Sequence, residues 1–382
     1  MKVCIKICLM ISIFFFNAGC SDSRPIQTMA YVTAIGLDYQ DGHFITHVQV
    51  LNFMNVAKSE NNVVGKNVPV WIGRGEGKTV TEALNSLTAT SQIRLFWGHV
   101  RSIVVNEDIL KMSDILRESY EGINRYREVR YNILLYATKE PMTEIFKQKS
   151  ILNLSVLDSI LDTPEDTFNQ RSFIHPQYGY KFIAELNELG VTAILPTIAI
   201  TKADWKEDDK KKPMFRVSGA YFLRQNQFKG WFSESDLRGR RWVQKKNKRS
   251  LINIPNNKDP KASVVMINPH YRIDHYMEKN QVYYKITIKV KAYVEELIKD
   301  FSVKDMEEAA AEVIRNEITT TYQKGLSTQT DLLNLFSELY RTDSKTWHAL
   351  QQKDQLKLTK DTISKIDVKV KITHTGKYKG KP

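Results

Sequence analysis

The chain has 382 residues, 42% hydrophobic and 10% aromatic, with 56 Lys and Arg against 43 Asp and Glu for a formal charge of +13. That length exceeds the roughly 250–300 residues at which single cores stop growing, so two or more domains are expected, and the composition excludes a disordered or fibrous chain. The three cysteines, Cys4, Cys8 and Cys20, all lie near the N-terminus, which excludes a disulfide framework in the body and leaves core packing to hold the fold.

Met1-Lys2 and Lys6 are followed by an almost wholly apolar stretch, residues 7–16, then Asn17-Ala18-Gly19, Cys20 and the polar Ser21-Asp22-Ser23-Arg24. A basic start, an apolar run of about ten residues and small residues at a cleavage site are the parts of a secretory signal. The run is too short for a hydrocarbon core of about 30 Å, which takes roughly 20 residues. A small pair directly before a cysteine narrows the reading to a bacterial lipoprotein signal, cut between Gly19 and Cys20 with acylation of the Cys20 thiol. Asn17 stands where such signals usually carry Leu or another aliphatic residue. The rival readings are an ordinary signal peptide with a chance cysteine, or an uncleaved anchor. The lipoprotein reading makes residues 1–19 a removed leader and 20–28 a lipidated tether.

Beyond the tether, residues 31–38 read as a strand by their β-branched content, and Asp41-Gly42 as a hairpin turn. Residues 43–54 alternate as the partner strand, a polar loop covers 57–67, and a short strand covers 68–72. The cluster Gly73-Arg74-Gly75-Glu76-Gly77-Lys78 reads as a flexible turn feeding a helix from Thr79, where Val80, Ala83, Leu84 and Leu87 keep the 3.6 period. A strand over 100–105, a helix over 109–120, a strand over 131–137 and a helix opening at Pro141-Met142 follow. Helices are expected over 150–161 and 177–189, and residues 191–200, with Pro196, as an extended segment or an edge strand. Residues 206–213, charged and closed by Pro213, read as a linker between domains. Strands over 215–223 and 228–232 flank a turn at Asn226, and further strands cover 263–267, 271–277 and 282–293. A long helix over 304–325 ends on Gly325 as its C-cap, a second helix covers 331–340, and a strand over 366–374 ends the body. The fold class is mixed α+β, with mixed sheets flanked by helices. Its domains are expected at 29–205 and 214–376, with a basic tail at 377–382.

Positive charge collects at Lys210-Lys211-Lys212, residues 238–241, 245–249 and 365–381. Export argues against nucleic acid as a partner. Two readings remain: solvated loops and strand edges kept soluble by lysine, or steering to an anionic bilayer face at about 1 kcal/mol per basic residue.

The glycine cluster is not a phosphate loop, because a Walker motif needs glycine where this chain has Ile72, and glycines at every second residue do not match the dinucleotide fingerprint. His43 and His47, four apart on a strand, stand roughly 13 Å from each other, and His270 and His275 lack an HExxH helix. There is no G-x-S-x-G elbow. No catalytic residue, metal or cofactor is indicated.

Several patterns in a shared order resemble the Ger(x)C family of spore-germination lipoproteins. They are the lipobox at Cys20; residues 31–38 as a V-x-A-I-G-L-D strand; Gly77-Lys78-Thr79-Val80 with Glu82-Ala83-Leu84; and Gly98-His99-Val100 with Ile103-Val104-Val105. Gly219-Ala220-Tyr221-Phe222 with Gly230-Trp231, residues 331–340 with Trp347, and Asp367-Val368-Lys369-Val370 complete the set. Residues 329–331 lack the glycine-rich stretch expected beside that helix. The resemblance implies three mixed α/β domains on the outer face of the spore inner membrane. It also implies two integral-membrane partner subunits, one permease-like, and no catalytic residue. Apolar surface near Phe228, Trp231 and Phe232 is a candidate partner contact, against the plainer reading of a packed hairpin. A tethered solute-binding lipoprotein is the alternative function, and whether this chain binds a small molecule directly is left open.

Overall fold

The computed structural model describes residues 29–51, 69–125, 128–256, 259–279 and 281–375. Cys20 with its leader and tether, the polar loop and the tail from 376 lie outside the described residues. Two β-sheets, each with its own apolar core, organise the rest.

The first sheet has nine strands in the order β3-β2-β1-β5-β6-β7-β8-β9, with β4 paired to β1. Its strands are β1 (Met29–Gln40), β2 (His43–Leu51), β3 (Trp71–Gly77), β4 (Arg94–Phe96), β5 (Ser102–Asn106), β6 (Leu134–Thr138), β7 (Ala193–Glu207), β8 (Lys210–Arg224) and β9 (Gln227–Ser233). Asp41 and Gly42 both take positive φ, 50° and 81°, the geometry a two-residue hairpin turn requires.

Six helices pack on this sheet: α1 (Val80–Ser86), α2 (Glu107–Lys111), α3 (Ser113–Asn124), α4 (Met142–Lys147), α5 (Pro164–Gln170) and α6 (Gly179–Asn187). Alternate residues of β1 face different cores. Ile35 and Leu37 meet the cluster formed with α1, α2, α3 and α6, while Ala34 packs with Met142, Ile145 and Phe146 of α4. Apolar cover on both faces is why β1 is buried along most of its length.

The second sheet has four strands in the order β10-β11-β12-β13: β10 (Arg249–Ile254), β11 (Ala262–Glu278), β12 (Gln281–Leu297) and β13 (Ile363–His374). Every second residue of β12 from Val282 to Val294 is buried, facing α7 (Val303–Ser327) across the largest core cluster. Two further helices, α8 (Leu335–Thr342) and α9 (Ser344–Gln352), close that core with Phe336, Leu339 and Trp347.

Several expectations are corrected. The glycine cluster is no turn: Gly73, Gly75 and Gly77 pair with Val48, Thr46 and Phe44 of β2. Their common face lies against α1, so that a Cβ on Gly77 would come within 2.6 Å of the Ala83 amide and one on Gly75 would collide with the Ala83 carbonyl. Residues 206–213 form the tip of the β7–β8 hairpin rather than a linker, with Lys206 opposite Lys211 and Glu207 opposite Lys210. The segment containing Pro196 is extended, as one of its two readings had it, but it is not an edge, since β7 lies between β6 and β8. It meets β6 at a single pair, Ala137 and Thr197, and Pro196 itself stands opposite Ala220 of β8. Residues 150–161 make short 3-10 turns instead of a helix, because the hydroxyls of Ser150, Ser155 and Ser159 bond the local backbone. Gly325 is not the cap of α7. It lies within the helix, where a Cβ would meet Leu332 at 2.9 Å, and Gln329 is the residue of positive φ.

Candidate functional site

The two sheets meet along one seam. Ser172, just past α5, donates its amide to the Arg249 carbonyl at 2.9 Å, and its hydroxyl accepts from the Lys248 and Arg249 amides. Gly239 lies so close to Glu317 and Ile318 of α7 that no side chain fits, and its amide donates to Thr321 Oγ1 at 2.8 Å. Further along, the Thr192 amide donates to Asn334 Oδ1 at 2.9 Å, and Arg341 binds Glu188 at 2.8 and 2.9 Å.

A cleft of about 750 Å³ opens in this seam. Arg171 and Phe173 reach it from the end of α5, Arg216 from β8, and Glu234 from just beyond β9. Arg238 and Arg241 come from a 3-10 turn over Arg238–Val243. Arg249 opens β10, and Glu317 projects from the middle of α7. Five arginines thus line the cleft with two glutamates.

Glu234 is shared by Arg171 and Arg216, the latter at 3.3 Å. The Arg241 guanidinium lies 4.7 Å from the ring centroids of both Phe173 and Trp242. Its Nη2 donates to both Glu317 oxygens, while its Nε has no hydrogen-bond partner. Burial pushes the Arg241 guanidinium below its ordinary value, and the Glu317 carboxylate opposes that shift.

Behind the seam a second charged group is buried. Asp331 accepts the Phe336 amide at 2.8 Å through Oδ2, and its Oδ1 has no partner. Burial pushes this carboxyl above its usual range, with the Phe336 and Leu335 amides and the nearby Arg224 and Arg240 pulling the other way. Arg240 also donates to the Leu332 carbonyl. The basic run at 238–241 is therefore structural in part, and reading it wholly as a solvated loop is corrected.

The residues expected as a partner contact are divided by the structure. Phe232 is buried in a cluster with Ala220, Phe222, Leu237 and Leu332, edge-on to Phe222 at 5.4 Å, and offers no surface. Phe228 and Trp231 are half-buried on β9, the last strand of its sheet. Trp231 Nε1 donates to Thr197 Oγ1 at 2.9 Å, and the Lys139 ammonium lies 4.7 Å from its ring. Gly19 and Cys20 lie outside the described residues.

The cleft itself was missed by sequence reasoning, yet one signal was present. Ala310, Val313, Ile314, Glu317 and Thr321 share the buried face of α7, so a carboxylate interrupts an apolar stripe and calls for a buried cation. Its partner, Arg241, is 76 residues away in the chain.

An apolar hollow of about 460 Å³ lies elsewhere, on the α3–α6 side of the first sheet, with Ile123, Phe182 and Ile183 in its wall. Among the described residues no three His, Cys, Asp or Glu side chains gather as a metal site. No described helix is long and apolar enough to cross a membrane.

Comparison with known proteins covers both sheets. Residues 22–200 match the family model described as spore germination protein N-terminal domain, and residues 218–376 match that described as spore germination B3/GerAC like, C-terminal. The chain is 22% identical over 377 residues to spore germination protein KC of Bacillus subtilis (strain 168), covering 92% of this chain and 90% of that protein. The crystal structure of the GerBC protein aligns with a TM-score of 0.52 at 12% identity, over 89% of this chain and 96% of that one.

Proposed function

This chain belongs to the Ger(x)C family of germinant receptor C subunits, and from that premise we propose that it is a non-catalytic, lipid-anchored subunit of a spore nutrient germinant receptor. It would sit on the outer face of the spore inner membrane and assemble with two integral-membrane subunits, one permease-like. The carrying observation is that the N-terminal and C-terminal family models match in order, over residues 22–200 and 218–376.

The physical logic starts at Cys20. Each buried acyl CH₂ contributes about 0.8 kcal/mol, and two chains anchor stably where one dissociates. Tethering raises the local concentration of the folded body near membrane partners, so each contact can be individually weak. The half-buried pair Phe228 and Trp231, on an edge strand that can accept further contact, is the proposed meeting surface.

Labelling of sporulating cells with radioactive palmitate, followed by affinity recovery of the chain from spore membranes, tests this reading. Label on the wild type but not on Cys20→Ala, with both integral-membrane subunits in the recovered material, is the expected result. An unlabelled wild type recovered without either subunit would overturn it. The alternative, a tethered solute-binding lipoprotein, is favoured by one observation, the cleft between the sheets, and predicts thermal stabilisation by a nutrient together with recovery free of either integral-membrane subunit.

A further inference from the structure

The cleft in the seam carries more positive charge than its own carboxylates neutralise. Glu234 already serves Arg171 and Arg216, and Glu317 serves Arg241 and the Trp242 indole. Arg238 is exposed in the lining with no carboxylate of the cleft assigned to it.

The Arg241 side chain is only 6% exposed, yet its Nε lacks an acceptor. A buried donor without a partner is costly, so native proteins rarely leave one unless another group meets it. The guanidinium fork matches the planar, two-oxygen geometry of carboxylate and phosphate groups. A volume of about 750 Å³ falls among sites that enclose small molecules, which span roughly 300–1,000 Å³.

We propose that this cleft binds a small oxyanion, a molecule presenting a phosphate or carboxylate group to Arg216, Arg238 and Arg241. Those residues lie on β8 and on the 3-10 turn, and the turn is held by α7 through Glu317 and Thr321. A ligand there links β8 of the first sheet to the turn that α7 holds. The inference rests on the cleft alone and stands whether or not the chain is a receptor subunit.

The test uses the full chain in detergent, titrated with inorganic phosphate or with succinate against sodium chloride at equal ionic strength. A saturable rise in Tm, roughly 2 °C at ten times the dissociation constant, is expected with at least one of the two anions. Which anion acts identifies the group recognised. The Arg216→Gln/Arg238→Gln variant leaves Arg171 on Glu234 and Arg241 on Glu317. It should keep the unliganded Tm and bind about tenfold more weakly by calorimetry. If that variant fails to fold, Arg238→Gln alone, at an exposed position, makes the same comparison. No saturable response to either anion overturns the proposal. So does undiminished binding in the variant, which would mark an adventitious ion only. Binding solely to phosphatidylglycerol vesicles would also overturn it, assigning the charge to a membrane face.

Discussion

Arg241 and Glu317 form an ion pair in the interior, with Nη2 at 2.8 and 2.9 Å from the two carboxylate oxygens and the side chains 6% and 7% exposed. Trp242 Nε1 donates to the same carboxylate at 2.7 Å. One helix of the second sheet thereby holds the turn that leaves the first. Breaking such a pair strands a buried charge, so Glu317→Ala should cost about 3–5 kcal/mol. Arg241→Met should cost a similar amount, and the double variant less than the sum of the two. Urea midpoints of the three variants decide; a loss below about 1 kcal/mol in each single variant would show the pair to behave like a surface one.

The strand–helix contact at the glycine ladder gives a graded series. A Cβ on Gly75 meets the fixed Ala83 carbonyl and, at 2.7 Å, Ser86 Oγ, whereas one on Gly73 meets only side-chain methyls of Leu87 and Val48, at 3.0 Å. Gly75→Ala should therefore destabilise by about 3 kcal/mol and Gly73→Ala by about 1 kcal/mol or less. Gly42, at φ 81° with open space around it, should lose about 1 kcal/mol on change to Ala, through backbone conformation alone. Thermal unfolding of the three variants gives the order; equal losses would contradict the close packing of α1 on β3.

The β9 residues separate folding from assembly. Phe232→Glu places a charge inside a closed cluster and should abolish cooperative unfolding. Trp231→Glu removes one hydrogen bond and one cation–π contact from a half-buried ring. It should cost about 1–2 kcal/mol and leave the chain folded while lowering recovery of the membrane subunits. Circular dichroism alongside affinity recovery distinguishes the two effects. Full recovery of both subunits with folded Trp231→Glu would remove this residue as a contact.

Acid should weaken the fold through its histidines. Burial holds His47 below its ordinary 6.5, with Arg74 adding to the shift, and burial likewise lowers His175 and His99. The unfolded chain then binds more protons than the folded one between the lowered values and 6.5. Their contribution is fully present above 6.5 and is lost as pH falls through the lowered folded values. A His47→Gln/His175→Gln variant should show a flatter dependence of the urea midpoint on pH in this range; an unchanged slope would place the effect elsewhere.

Local patterns in the sequence were legible where a period or a turn residue dictates the outcome. Asp41-Gly42 and the turn at Asn226 close hairpins, the alternation after Gln281 marks β12, and Val80, Ala83 and Leu84 face the core of α1. What stayed hidden depends on partners distant in the chain. Glycines at every second residue make a strand face only because α1 lies on them. A charged hairpin tip resembles a linker until its two arms are paired. The cleft could not be read at all, since its arginines and glutamates come together only when the two sheets dock.

The central claim is that the chain is a lipidated receptor subunit, and spores deleted for it test this most directly. Loss of refractility is followed across a nutrient panel with wild-type and Cys20→Ala complementation. Selective loss of response to particular nutrients, restored fully by the wild type and not by Cys20→Ala, is the predicted result. Normal germination of the deleted spores across the whole panel would contradict it.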